Sequence, residues 1–192
     1  VNETWDLGRI SGYKGIHRRT MFHCLNVKAV ARKGAQQLGK PYPQLNLIVA
    51  HMGGGMSVSA HTGGRAVDCG CGILGEGAFS PERAGTIGIK ELMDFIEEQA
   101  AKGVTRREME RRLCGQGGIV SYLGTNNALE VEERIRQGNE EAKLVYQAMA
   151  YQVAKDIGTQ ATVLKGKVDA ILFTGGLAQS KMLTGWIIKR IG

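Results

Sequence analysis

Three consecutive glycines, Gly53-Gly54-Gly55, join two short runs of strand character, and this junction constrains the chain most. Leu45-Asn-Leu-Ile-Val-Ala50 on one side is an apolar run bounded by Pro43, and Met56-Ser-Val-Ser-Ala60 on the other alternates with a period of two. A further turn at Gly63-Gly64 leads into Arg65-Ala-Val-Asp68, so the segment predicts a three-stranded antiparallel meander. Glycine admits φ > 0 and lets the main chain approach a ligand without a Cβ in the way. The first turn therefore reads as a cradle of backbone N–H groups suited to a phosphate. Ser57 would add a hydroxyl donor and His51 a neutral or charged donor. The competing reading is a glycine-rich hairpin with a capped histidine. It is neither a Walker-type loop, since no G-K-[ST] follows, nor a Rossmann fingerprint, since a strand comes next.

Downstream the period changes to that of helices. Lys90 to Ala101, Thr105 to Leu113, Asn127 to Arg136 and Asn139 to Leu164 carry helical patterns, and Thr105 with Glu108 forms a capping box. In the last of these Ala142, Val145, Met149, Val153, Ile157, Ala161 and Leu164 make one apolar stripe, which is core packing. Upstream, Phe22, Leu25, Ala29, Val30 and Leu38 mark a helix over Thr20 to Leu38 that contains Phe22 and His23. By default that histidine is a satisfied core residue. Val168 to Thr174 predicts a buried strand, Gly175-Gly176 a tight turn, and a helix follows from about Ser180. Ligands bind at the carboxyl ends of strands in α/β sheets, so Thr174, Gly175, Gly176 and Leu177 form a second glycine cradle, or a plain strand-to-helix turn. Two such cradles in this order suggest the two ends of one nucleotide.

Three antiparallel strands followed by a helix-crossover strand on the same mixed sheet is the ribonuclease-H-like lobe of an actin-like ATPase, an α/β fold. The chain begins at Val1, and Leu183 to Gly192 reads as a helix still amphipathic where it stops. The expectation is a lobe incomplete at both ends. Residues 1–40 would be an inter-lobe segment with its entering helix, and 41–192 a second, nucleotide-binding lobe truncated at its C-terminus.

Composition supports a globular chain, with 43% hydrophobic and 22% charged residues in 192. No apolar run approaches the roughly 18 residues of a membrane span. The 28 glycines are about twice the usual share and have no collagen-like period. Lys+Arg 25 against Asp+Glu 18 leaves a charge of +7, which suits an anionic partner. Nucleic acid is not expected, because Arg106-Arg107 and Arg111-Arg112 are interleaved with Glu108 and Glu110 and read as a solvated face. Cys24, Cys69, Cys71 and Cys114 show no disulfide framework, so a reducing cytoplasm is the default. Cys69-Gly-Cys71 lacks a second ligand pair, and no metal is assigned to protein side chains. In Gly75 to Gly85, Ser80 at an N-cap with Pro81 at N1 would open a short helical turn. That leaves Arg83 as a delocalised cation matched to phosphoryl oxygens, or as a surface ion pair.

His51-Met-Gly-Gly-Gly-Met-Ser-Val-Ser-Ala-His-Thr-Gly-Gly64 resembles the acetokinase-family signature H-[LIVM]-G-x-G-x-[ST]-[LIVM]-x-[AV]-x₃-G at every position. Arg9 to Gly12, Arg18 to Asn26, Gly75 to Arg83, Tyr122 to Asn126 and Thr174 to Ala178 extend the likeness, which is closest to the butyrate kinase branch. The resemblance implies phosphoryl transfer from ATP to a short-chain carboxylate (butyrate + ATP = butyryl phosphate + ADP), with Mg²⁺, in a homo-oligomer. It makes His23 the histidine that stabilises the transferring phosphoryl group and Arg83 the arginine that neutralises its oxygens. Phe22 would line the acyl pocket, His51, Gly53, Gly54, Gly55 and Ser57 would hold phosphate, and Thr174 to Leu177 would hold adenosine. Thr125-Asn-Asn-Ala-Leu129 departs from the T-N-D-A-R of that branch by losing an acid and an arginine, and Cys69-Gly-Cys-Gly-Ile-Leu74 departs from V-N-N-A-L-D. A non-catalytic nucleotide-binding or assembly module of the same fold is the alternative.

Overall fold

The run Leu47-Ile-Val-Ala50 has no polar position because both faces of its strand are covered. In the computed structural model, which describes residues 3–72 and 75–192, β1 (Leu47–Met52), β2 (Met56–Thr62), β3 (Arg65–Cys69) and β4 (Ala170–Thr174) form one sheet in the order β3-β2-β1-β4. β1–β2 and β2–β3 are antiparallel, giving the expected meander, and β4 lies parallel to β1. A parallel neighbour requires a crossover. It is supplied by α2 (Ile89–Ala101), α3 (Arg106–Gly115), α4 (Gly118–Leu123), α5 (Ala128–Arg136) and α6 (Glu140–Val163), and α7 (Lys181–Ile191) follows β4.

One face of the sheet is covered by α1 (Cys24–Gln37) and the other by α6, against which α7 packs. Alternation sorts β1 between two cores. Leu47 and Val49 join Val27, Ala31 and Ala35 of α1, while Ile48, Ala50 and Met52 join Met149, Val153 and Ile157 of α6. The α6 stripe agrees with its sequence period, with Ala142, Val145, Met149, Val153, Ile157 and Leu164 all buried. Thr105 caps α3 with the reciprocal Glu108 bond of a capping box, and Asn127, Asn139 and Ser180 cap α5, α6 and α7.

Four expectations are corrected. The first helix starts at Cys24, so Phe22 and His23 precede it. Its buried stripe is Val27, Ala31, Gly34 and Ala35, and Leu25 is 89% exposed. The large apolar residues misled, because the helix approaches β4 so closely that a Cβ on Gly34 would lie 2.5 Å from Leu172 Cδ1. β4 is half-buried rather than buried, being at the end of the strand order. Ser80-Pro81 opens no helix, since the Ser80 N–H donates to Arg83 O (3.0 Å) and closes a turn instead. Between the helices predicted over Thr105 to Leu113 and Asn127 to Arg136 lies a further one that the sequence pattern did not show, α4, ended by left-handed Gly124. Ile73 and Leu74, the end of the Cys69–Leu74 departure, lie outside the described residues.

His61 is fully buried on the α1 face of β2. Ser59 Oγ donates to Val49 O (3.3 Å) and so accepts from His61 Nε2 (2.8 Å), leaving Nδ1 to accept the Tyr42 hydroxyl (2.7 Å). Burial pushes His61 down to about 4 and Tyr42 up to about 12, consistent with a neutral ring and a protonated phenol. Tyr42→Phe removes the donor to Nδ1 and is expected to lower stability by about 1–3 kcal/mol, the cost of an orphaned buried acceptor. Urea unfolding with unchanged m measures it, and equal midpoints would contradict the assignment. The sign with pH also follows: the unfolded imidazole takes up its proton near 6.5, before the folded one. The His61 contribution is therefore present above that pH and is lost as pH falls towards about 4.

Candidate active site

Parallel pairing sets His51 of β1 opposite Thr174 of β4, so Gly53–Gly55 and Gly175–Gly176 leave the sheet at the same end. Gly175 is left-handed (φ 90°), and a Cβ on it would lie 2.3 Å from Met52 O, so only glycine lets the two loops come this close. Ser57 faces His51 across the β1–β2 hairpin, on the α1 side of the sheet. The chain entering α1 places His23 there as well.

These residues interlock. His23 Nδ1 and Ser57 Oγ are 2.9 Å apart. The His23 and His51 rings stack at 3.8 Å between centroids with planes 19° apart. His51 Nδ1 lies 2.9 Å from Asn26 Oδ1, in the first turn of α1. An amide oxygen only accepts, so Nδ1 carries the His51 proton. Burial, with the His23 charge second, pushes His51 down to about 4, and burial followed by the Arg83 charge lowers His23. Both rings are neutral at pH 7. Neutral His51 thus presents an Nε2 lone pair, on the side of Gly53, where a donor was expected.

Arg83 reaches the same place from the loop before α2, and its Nη1 donates to Gly72 O (2.8 Å). A Cβ on Gly55 would stand 1.8 Å from that Nη1. None of Gly53, Gly54 and Gly55 is left-handed, so the triplet serves close approach rather than φ > 0. Gly53 N–H turns inward to Gly55 O (3.1 Å), which removes one donor from the expected cradle. Ser80 Oγ donates to Gly54 O (2.6 Å) and ties the two loops together.

A cleft of about 720 Å³ runs from Gly53 and Gly54, past Glu82 and Asn126, to Gly176 and Leu177. The two glycine loops thus share one cavity, with His23, His51, Ser57 and Arg83 grouped about the Gly53–Gly55 loop. Phe22 lies beneath, 9% exposed, in the core cluster of Val27 and Ala31. Asn127 uses its side-chain oxygen to cap α5 at Leu129 N (3.1 Å). Leu129 lines the cleft and is 74% exposed. A larger cavity of about 960 Å³ beside α4 and α6 is lined by none of the candidate site residues read from the sequence. Cys69 and Cys71 are buried free thiols, and the described residues hold no group of three His, Cys, Asp or Glu side chains in metal-binding reach. Sequence reasoning missed Asn26, Ser80, Glu82 and Asn126. All four fall in segments that carry the family likeness, and Asn26 had a spacing signal as well, three residues after His23.

The acetokinase-family model matches residues 10–186. The chain belongs to the acetokinase family. Among solved structures, acetate kinase of Porphyromonas gingivalis superposes with a TM-score of 0.85 at 25% identity, over 96% of this chain and 47% of that one. A propionate kinase from Francisella tularensis subsp. tularensis SCHU S4 gives 0.85 at 25% identity, over 98% and 50%. Acetate kinase of Entamoeba histolytica gives 0.83 at 18% identity, over 98% and 50%, and shows the fold alone. The fold is that of actin-like ATPases. This acetokinase-family chain spans about half the length of these kinases.

The tautomer assignment is testable directly. Nitrogen-15 NMR of the imidazoles at pH 7 is expected to show His51 protonated at Nδ1 and bare at Nε2, with protonation only near pH 4. Asn26→Ala is expected to give a mixture of tautomers. An Nε2–H signal in the unmodified protein would overturn the assignment.

Proposed function

We propose that the protein takes part in phosphoryl transfer between ATP and a short-chain carboxylate, with butyrate as acceptor: butyrate + ATP = butyryl phosphate + ADP. The observation that carries this reading is a cation and an imidazole, Arg83 and His23, grouped about Gly55 next to a cleft that continues to a second glycine turn. Phosphoryl transfer asks chiefly for positioned cations and donors around a metaphosphate-like transition state. A carboxylate oxygen attacks the γ-phosphorus, the bond to the bridging oxygen breaks, and ADP leaves with that electron pair.

In this reading Arg83 offers its guanidinium to the equatorial oxygens, and its bond to Gly72 O fixes its approach. His23 donates from Nε2 when the Ser57 hydroxyl donates to its Nδ1. Gly54, Gly55 and Ser57 border the phosphates, with His51 held by Asn26 behind them. Gly176 and Leu177 take the adenosine, and Thr174 and Gly175 set that turn against β1. Phe22 offers its remaining surface to the acyl chain. Residues 41–192 act as the nucleotide-binding lobe, entered through 1–40, of a cytoplasmic homo-oligomeric enzyme.

Mg²⁺ keeps several waters and binds through one or two carboxylates and substrate phosphates. The side chains present suit that mode, because Glu82 Oε1 accepts from Asn126 (2.6 Å) while Oε2 lies beside Gly54. Glu82 would hold the ion at the phosphate end of the cleft. When bound, the ion neutralises charge on the phosphate oxygens.

A second reading, a nucleotide-binding module without turnover, is favoured by Asn127 and Leu129, which offer the nucleotide neither a charge nor, at Leu129, a polar group. A hydroxamate trap on the full-length protein with ATP, Mg²⁺ and acetate, propionate, butyrate or isobutyrate separates the two. Acyl phosphate is expected, most with butyrate. ATP binding without product from any acid would favour the module.

His23→Ala and Arg83→Ala are each expected to lower kcat by at least about 10², the scale for one oriented transition-state donor. Gly55→Ala is expected to act like Arg83→Ala while leaving the melting temperature near that of the unmodified protein, because the new methyl displaces only the end of a flexible side chain. Normal turnover in these variants would refute the roles.

A further inference from the structure

The cleft that holds the second glycine turn is walled on one side by α5, and a buried carboxylate joins the two. Ser180 N donates to Leu177 O (3.1 Å), and Ser180 Oγ donates to Glu132 Oε1. The Tyr146 hydroxyl of α6 donates to that same oxygen (3.3 Å). Glu132 Oε2 accepts from Arg136 Nη2 (3.2 Å). Glu132 is only 6% exposed, and a carboxylate so buried needs a cation beside it. An unbroken series of hydrogen bonds therefore runs from Leu177 through Ser180 and Glu132 to Arg136, and all four residues line the cleft.

Arg136 ends α5, and its side chain is turned back along the helix. Its Nη1 donates to Glu133 Oε2 (3.0 Å) and its Nη2 to Glu132 Oε2, three and four residues earlier. Helical side chains favour that direction, and it brings the guanidinium towards the end of α5 where Asn127 and Leu129 border the cleft. The two edge bonds fix the plane of the group, while 56% of the side chain stays exposed. Two carboxylates also meet its charge, so a phosphate gains little from it. What remains for a ligand is the flat face, and a guanidinium face packs on aromatic rings. Leu129, an exposed apolar side chain in the same cleft, likewise suits a ring rather than a phosphate.

We propose that Arg136 is a base-contacting residue of the nucleotide site, stacking its guanidinium on the purine ring, and that Glu132 is the residue that positions it. The inference rests on the nucleotide reading above and adds recognition of the base to it. It also answers the charge lost at Asn127 and Leu129. The cation stands seven residues beyond Leu129, two turns on along α5, and serves the base through its plane. Because Glu132 holds both Ser180 and Arg136, the adenosine turn and the stacking face share one anchor.

Direct binding separates base from phosphate. The full-length protein with Mg²⁺ is titrated calorimetrically with ATP and with inorganic tripolyphosphate, which carries the phosphates without a base. Arg136→Lys keeps a cation beside Glu132 and removes the plane. It is expected to weaken ATP by about five- to thirtyfold, the range of a cation–π contact, and to leave tripolyphosphate unchanged. Arg136→Ala is expected to do the same. Glu132→Gln should weaken ATP alone, and should add little on top of Arg136→Lys because both act on one contact. Equal ATP affinity in Arg136→Lys would overturn the stacking role, and equal losses for both ligands would replace it with a phosphate contact or a general loosening of the cleft. An independent loss from Glu132→Gln in the Arg136→Lys background would remove the positioning role. Absence of ATP binding in the unmodified protein, a result distinct from any of these, would refute the nucleotide reading itself and this role with it.

Discussion

Parallel pairing of β4 with β1 is the constraint on which the site depends. With His51 level with Thr174, the glycine loops after both strands leave the sheet together and border one cleft. A slip of one residue would turn every β4 side chain to the other face. Two features oppose such a slip. Met52 O lies against Gly175, where no Cβ fits, and Leu172 lies against Gly34 of α1, where none fits either. The helix and the loop meet β4 from different directions, and each depends on a missing side chain.

The same alternation that builds two cores also divides chemistry from packing along β2. Met56, Val58 and Ala60 enter the α6 core, while Ser57, Ser59 and His61 share the α1 side with His51. At one end the polar row closes on itself through Tyr42, His61 and Ser59. At the other Ser57 meets His23, which the chain presents just before α1. One row of side chains thus supplies a satisfied core network and a partner for the candidate active site.

The meander, the crossover and the α6 stripe were legible because period and glycine spacing report them directly. The start of α1 was not, since its buried face is built from Val27, Ala31, Gly34 and Ala35, while the larger Leu25 points to solvent. Hydrophobicity marks a face only where the gap to be filled is wide, and here it is narrow. At the site, His23, His51, Ser57 and Arg83 were readable as residue types, but their mutual contacts were not. No glycine of the Gly53–Gly55 triplet is left-handed, and at Gly55 the missing side chain leaves clearance for Arg83. Ser80 acts through its hydroxyl bond to Gly54 O in a distant loop, and no local pattern encodes such a contact.

Charge at the site is arranged economically. Two stacked imidazoles at 3.8 Å are both neutral at pH 7, so Arg83 is the permanent cation of the His23–His51–Ser57–Arg83 group. An incoming polyphosphate favours protonation of a nearby imidazole. Stacked rings titrate as a pair, however, and the first proton opposes the second. His51 already spends Nδ1–H on Asn26, whereas His23 is the ring beside Ser57, whose hydroxyl can act as either donor or acceptor. The pair therefore holds one adjustable proton next to one fixed charge. On the proposed function, that proton is placed to follow the negative charge on phosphoryl oxygens as it rearranges during transfer.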